Sequence, residues 1–153
     1  MNTHRDHLVL PATVDNIPSY RDFLARACSR ADLSEDDCLA LTLAVDEACT
    51  NIIEHGYAGE EGRKIDLTFV ADDTEAWVEI VDDGPPFRPE DIPPPDLEAG
   101  WEDRPIGGLG WHLIRRSVDS IRYERDNGRN RLTLIRQRAR PRREGAQNDG
   151  CDG

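Results

Sequence analysis

Three short segments of this chain combine residue types that can hold a metal-bound anion and move a proton. The first, residues 41–57, reads LTLAVDEACTNIIEHGY. At 3.6 residues per turn, Glu47, Asn51 and either Glu54 or His55 form a polar stripe beside an apolar face. A carboxylate at the edge of a core can accept a proton from a hydroxyl, and an amide oxygen one turn along can complete the oxygen shell of Mg2+. The exposed face of any amphipathic helix also carries such a stripe, and His55 and Tyr57 fit equally a C-terminal cation and a packed ring. The second segment, VDDGPPF at residues 81–87, directly follows a strand pattern. Its carboxylate can accept from the exocyclic amine of a flat heterocycle, for which the glycine leaves space; a plain Asp-Gly turn is the alternative. The third, IGGLGWHLI at residues 106–114, opens a helix with glycines, so that backbone N–H groups and the helix dipole can meet an anion. No lysine follows these glycines, which excludes a Walker A loop and leaves a tight loop without a ligand as the alternative.

The elements that must position these segments are legible in the spacing. Residues 7–13, HLVLPAT, alternate as a strand, with Pro11 suited to a sheet edge. A helix follows, with Asp15 as N-cap, Pro18 in its first turn, and Tyr20, Phe23, Leu24 and Ala27 at helical spacing. The next helix opens at Ser34, with Glu35, Asp36 and Asp37 at its positive end, and is expected to reach Gly56. Leu41, Val45, Ala48 and Ile52 share one face, as in a helix packed on a sheet. Residues 64–71 and 75–82 alternate with period two and predict an antiparallel hairpin. Residues 84–105 are rich in proline and rule out a long regular element. A helix near Gly108 carries Leu109, Leu113, Ile114 and Val118, and IRYERD and NRLTLIRQ then flank Asn127-Gly128 as a second hairpin. Hairpins with grouped helices predict an α/β two-layer sandwich with a mainly antiparallel sheet and helices on one face. The domain is expected to span residues 1–137, with 138–153 as a disordered tail.

Length and composition bound the function classes. A chain of 153 residues with 37% hydrophobic content supports one modest core. Its longest apolar run is too short for a membrane span and its start lacks the layout of a secretory signal, so a cytoplasmic location without membrane contact is expected. A formal net charge of -12 argues against direct nucleic-acid binding. Cys28, Cys38, Cys49 and Cys151 show no metal or disulfide spacing and read as free thiols. Arg136, Arg138, Arg140, Arg142 and Arg143 crowd the C-terminal end, where a solvated tail is expected rather than a binding patch.

Taken in order, EACTN, DDG and GGLG resemble the N, G1 and G2 boxes of the GHKL ATPase superfamily, whose architecture is the Bergerat, or histidine-kinase-like ATPase, fold. Within it, LAVDEACTNIIEHGY and GGLGWHLIRRSVDSIRYE are most similar to the anti-sigma factor serine/threonine kinases, over nearly all of residues 8–137. The resemblance implies ATP and Mg2+. Glu47 takes the place of the general base, or of the group that orients the attacking oxygen, and Asn51 that of the Mg2+ ligand. Asp82 takes the place of the adenine-binding aspartate, with Gly84 beside it, and Gly108, Leu109 and Gly110 form the turn that cradles phosphates. Residues 85–105 correspond to a lid from which Arg88 or Arg104 can reach the phosphates. One departure is Pro86, where the superfamily has a second glycine; it limits the freedom of the lid's first hinge.

By the same resemblance, the expected function is phosphorylation of an anti-anti-sigma (STAS-type) partner together with sequestration of a sigma factor, with a homodimer among the expected assemblies. A non-catalytic module that binds ATP while sequestering a partner is the rival. A histidine kinase catalytic domain is disfavoured, since only about 30 residues precede the N-box helix and leave no room for a phospho-accepting helical segment.

Overall fold

Alternating apolar residues build five strands: β1 (His4–Pro11), β2 (Lys64–Ala71), β3 (Glu75–Asp82), β4 (Ser120–Asp126) and β5 (Arg129–Gln137). They form one sheet of order β1-β2-β3-β5-β4 in which every neighbouring pair is antiparallel. These elements come from a computed structural model that describes residues 3–86 and 108–139. The expected lid with Arg88 and Arg104 lies outside the described residues from position 87 on, as does the chain after Ala139.

Register turns the alternation into rows across the sheet. Leu8 pairs with Leu67, Leu67 with Ile80, Ile80 with Leu132, and Leu132 with Tyr123. A parallel row runs Phe69, Val78, Leu134 and Ile121. Leu67, Phe69, Val78, Ile80 and Leu134 are fully buried. Helices α1 (Ile17–Arg30), α2 (Glu35–Asn51) and α3 (Gly108–Ser117) supply the second layer: α1 lies on β1, α2 on β3 and β5, and α2 sits between α1 and α3. The result is the expected α/β two-layer sandwich. Two complete side chains of the size of Leu or Phe removed from water contribute roughly 3–6 kcal/mol, so each row is a substantial part of the driving force.

Local chemistry explains most boundaries. Ser34 caps α2 by accepting from the Asp37 N–H at 3.0 Å. At Asp72, one carboxylate oxygen accepts from the N–H groups of Thr74 and Glu75, both at 2.9 Å, which closes the β2–β3 hairpin. Asn127 and Gly128 both have positive φ, 54° and 76°, as a two-residue turn between right-twisted strands requires.

Four expectations are corrected. β1 runs from His4 to Pro11 rather than from 7 to 13, because its pairing with β2 continues to Ala71. Asp15 does not cap α1: residues Val14–Asn16 form a 3-10 turn, and the Asn16 amide donates to Pro11 O at 2.8 Å. α2 stops at Asn51 and continues as a π-helical turn, Ile52–Gly56. Arg136 and Arg138 are not part of a solvated tail. Arg136 Nε donates to Asp37 Oδ1 at 2.7 Å, and Arg138 donates to the carbonyls of Ala31, Asp32 and Asp72. Beyond the boundary expected at 137, Ala139 N–H also bonds Asp37 Oδ2 at 2.9 Å. Cys28, Cys38 and Cys49 are free thiols in the two longer helices.

Candidate functional site

The site is organised on α2 and its π turn, which touch both other segments singled out in the sequence. α2 is held by a buried stripe of Leu41, Val45 and Ala48, with Ala44 and Cys49 beside it. That anchoring leaves Glu47 and Asn51, one turn apart, half-buried at the border of the core. After Asn51 the helix widens to the π form; such turns are rare and recur at functional sites. Of the two residues left open for the third place in the stripe, both Glu54 and His55 are exposed, and Glu54 is the one whose charge reaches Glu47.

α3 meets this stripe with its first turn. A methyl group built on Gly110 would lie 2.7 Å from Glu47 Oε2, 3.6 Å from Glu47 Cδ and 3.8 Å from Asn51 Nδ2. Real Cβ contacts are not that short, so any side chain at this position would push aside the Glu47 carboxylate, the flexible end of its side chain, and glycine is what lets that carboxylate lie against the first turn of α3. Gly108 and Leu109 form the start of the same helix, where the first backbone N–H groups lack intrahelical acceptors. Trp111 and Ile114 are buried and fix this end of α3 against the core.

Electrostatics at this junction are unusual. Burial pushes the Glu47 carboxyl above the ordinary range, and the neighbouring charges of Asp46 and Glu54 push it the same way. Among the described residues, Asn51 Nδ2 is buried without a hydrogen-bond partner, as is Asp46 Oδ1, whereas Asp46 Oδ2 takes a bond from Arg21 at 2.8 Å. An unpaired buried amide costs stability, and a native fold that keeps one leaves a polar position that a water, an ion or a ligand can satisfy.

The Asp82 region lies just beyond Asn51, against the π turn that extends the same end of the helix. Asp82 closes β3 with 8% of its surface exposed. Its Oδ1 accepts from Gly84 N–H at 2.8 Å and from Asn130 Nδ2 at 3.0 Å. Burial raises its carboxyl, and those two donors oppose the rise. A methyl on Gly84 would meet Asp82 Oδ1 at 3.1 Å and Gly56 O at 3.5 Å, so this glycine seats the end of β3 on the π turn. Asp83 turns the other way: its N–H donates to the Tyr57 hydroxyl at 3.0 Å, and its carboxylate pairs with Arg63 at 3.0 Å. The two acids of the DDG segment thus have separate surroundings.

The helix and its π turn therefore bring all three segments together, with Gly110 against Glu47 and Asn51, and Gly84 against Gly56. The sequence reading missed Asn130. It occupies an inward position of β5 in line with Leu132 and Leu134, and a polar side chain at that step of an otherwise apolar alternation was the available signal.

Residues 10–136 match the family model described as the histidine kinase-like ATPase domain, and the chain belongs to that family. It is similar to the protein named serine-protein kinase RsbW of Listeria monocytogenes serovar 1/2a, 33% identical over 79% of this chain and 80% of the relative. It is also similar to the protein of that name from Bacillus mycoides, 28% identical over 92% of this chain and 88% of the relative. Among solved structures, one of the RsbU and RsbW domains of a Mycobacterium tuberculosis protein matches 91% of this chain with a TM-score of 0.65. At 20% identity that likeness speaks for the fold alone, and the chain spans about a third (34%) of the length of that larger protein.

Proposed function

We propose that this chain is an ATP-dependent serine/threonine protein kinase that phosphorylates an anti-anti-sigma (STAS-type) partner and sequesters a sigma factor. The observation that carries the reading is the contact at Gly110, which puts the positive end of α3 directly over a carboxylate and an unpaired amide on α2. Membership of a histidine kinase-like ATPase family and similarity to proteins named serine-protein kinase support it. The catalytic domain takes in residues 1–137 together with Arg138 and Ala139, whose bonds to Ala31, Asp32, Asp72 and Asp37 tie them to it. No helix among the described residues is long and apolar enough to cross a membrane, in keeping with a cytoplasmic role.

The roles follow from the chemistry of each group. Asp82 accepts from the amino group of adenine, and Gly84 leaves room for the ring. The N–H groups of Gly108, Leu109 and Gly110 receive phosphate oxygens at the positive end of α3. Asn51 would hold Mg2+ through its amide oxygen; exchanging the two amide atoms turns that oxygen toward the unpaired position, so the residue fits an oxygen-seeking cation. Mg2+ supplies charge neutralisation on the phosphates when bound. Glu47 takes the proton of the partner's hydroxyl as the new O–P bond forms and the bond to the ADP oxygen breaks. Its raised proton affinity suits that task. A homodimer is the proposed assembly.

Incubation with radiolabelled ATP and a candidate anti-anti-sigma partner tests the reading. Label is expected on a serine or threonine of the partner. Intact nucleotide binding with no transfer would replace the kinase by a module that uses ATP only to fix its shape.

A further inference from the structure

We infer that Asn130 is a positioning residue that fixes Asp82 for purine recognition, and that it thereby sets the preference of the site for adenine over guanine nucleotides. The inference rests on the assignment of Asp82 as the adenine acceptor. Asn130 and Asp82 are direct cross-strand partners in the β3–β5 register, and Asn130 in turn faces Arg125 across β4–β5. All three lie one step beyond the apolar row of Ile80, Leu132 and Tyr123, where the core gives way to the site.

Asn130 is 4% exposed, and its amide is used from both ends. Nδ2 donates to Asp82 Oδ1 at 3.0 Å and lies 2.9 Å from Pro85 O and 3.3 Å from Gly84 O. Oδ1 accepts from Arg125 Nη1 at 2.9 Å and from the Tyr123 hydroxyl. Arg125 Nη1 also donates to Gly84 O at 2.9 Å. One buried amide therefore ties together the end of β3, the Gly84-Pro85 backbone and strand β4. Among the described residues, both bonds to the Asp82 carboxylate fall on Oδ1. With that oxygen held by two donors, the carboxylate cannot rotate, and Oδ2 is presented in one direction as an acceptor. An acceptor matches the exocyclic amine of adenine and opposes the carbonyl at the same place in guanine. Loss of the clasp should weaken this discrimination even where the carboxylate remains.

The test measures affinity for ATP and for GTP, by competition against a fluorescent nucleotide, in the full chain. Asn130→Leu keeps size and removes both ends of the clasp. The ATP-over-GTP preference should fall about tenfold, as when a hydrogen bond to a charged group is lost. Asp82→Ala should lower it as far or further, and the double variant should add little to Asp82→Ala, since Asn130 acts through that carboxylate. Arg125→Met, an exposed change that weakens the clasp from outside, should shift the preference in the same direction by less; it serves if Asn130→Leu does not fold. Equal loss of ATP and GTP affinity in Asn130→Leu, or unchanged preference in Arg125→Met and Asn130→Leu alike, would overturn the inference while leaving Asp82 in its role. Unchanged preference in Asp82→Ala would overturn the adenine assignment itself, and the role of Asn130 with it.

Discussion

Two acids on one helix have opposite fates. Asp37, in the first turn of α2, is 2% exposed and fully engaged: Arg136 bonds one oxygen at 2.7 Å and Ala139 N–H the other at 2.9 Å. Burial alone would raise its carboxyl, but the Ala139 N–H, the Arg136 guanidinium and the Ser34 cap together hold it below the ordinary range. Glu47, roughly 15 Å further along at 1.5 Å per residue, has no cation paired with it among the described residues and sits among Asp46 and Glu54. Its carboxyl is raised. The fold uses the first acid to lock the C-terminal strand to the helix, and keeps the second in a condition that costs stability and suits proton transfer.

The sharpest way to break this contrast is to neutralise each acid in turn. Glu47→Gln should cut phosphate transfer by about 10²–10⁴-fold, measured with labelled ATP, while nucleotide affinity persists. Its melting temperature should stay level or rise. A carboxyl raised in the fold contributes stability that is present below its unfolded pKa and is lost as pH rises through its folded one, so at neutral pH it is a burden that Gln removes. Asp37→Ala should do the reverse. Removal of this carboxylate takes away charge-assisted hydrogen bonds from a partly exposed guanidinium and a backbone N–H and costs about 1.5–3 kcal/mol, visible as a loss in urea unfolding midpoint, and the wild-type contribution should fade only as pH falls through the lowered pKa of Asp37. A smaller effect is expected at the helix contact. In Gly110→Ala the new methyl displaces the flexible end of Glu47 rather than backbone, so folding is retained and transfer falls by on the order of 10²-fold. Equal loss of stability and transfer in that variant would place Gly110 in the core rather than the site.

The parts of the molecule legible in its sequence are those whose cause is local. β2 and β3 fall where period-two alternation puts them, α2 begins at the Ser34 cap, and Asn127-Gly128 turns the last hairpin. The candidate residues Glu47, Asn51 and Gly110 were readable as types at a spacing, and their convergence follows from the packing of α2 on α3. What the sequence hid depends on distant partners. Asp37 looked like a dipole-stabilising acid because Arg136 is 99 residues away. Asn130 looked like a hairpin residue because Asp82 is 48 residues away. The π turn has no Pro or Gly before its end to announce it, and the contact it makes, Gly56 O beneath Gly84, joins two segments that no local pattern connects.

The finest distinction between the two acids is in their neighbours, and Glu54 isolates it. If Glu47 must be ionised to accept the hydroxyl proton, kcat/KM should fall on acidification at a pH set by the free enzyme's Glu47, above the ordinary carboxylate range. Burial is the larger cause of that displacement and no surface change removes it. Asp46 is tied to Arg21, so Glu54 is the accessible contributor. In Glu54→Gln, the loss of one nearby negative charge makes ionisation of Glu47 easier, and the acid limb should move to lower pH. Because Glu54 is exposed, added salt should move the wild-type limb the same way and the variant's by less, since only the partly buried Asp46 charge is left to screen. An acid limb unaffected by either change would assign it to a group other than Glu47, and would leave Glu47 the task of orienting the attacking hydroxyl without taking its proton.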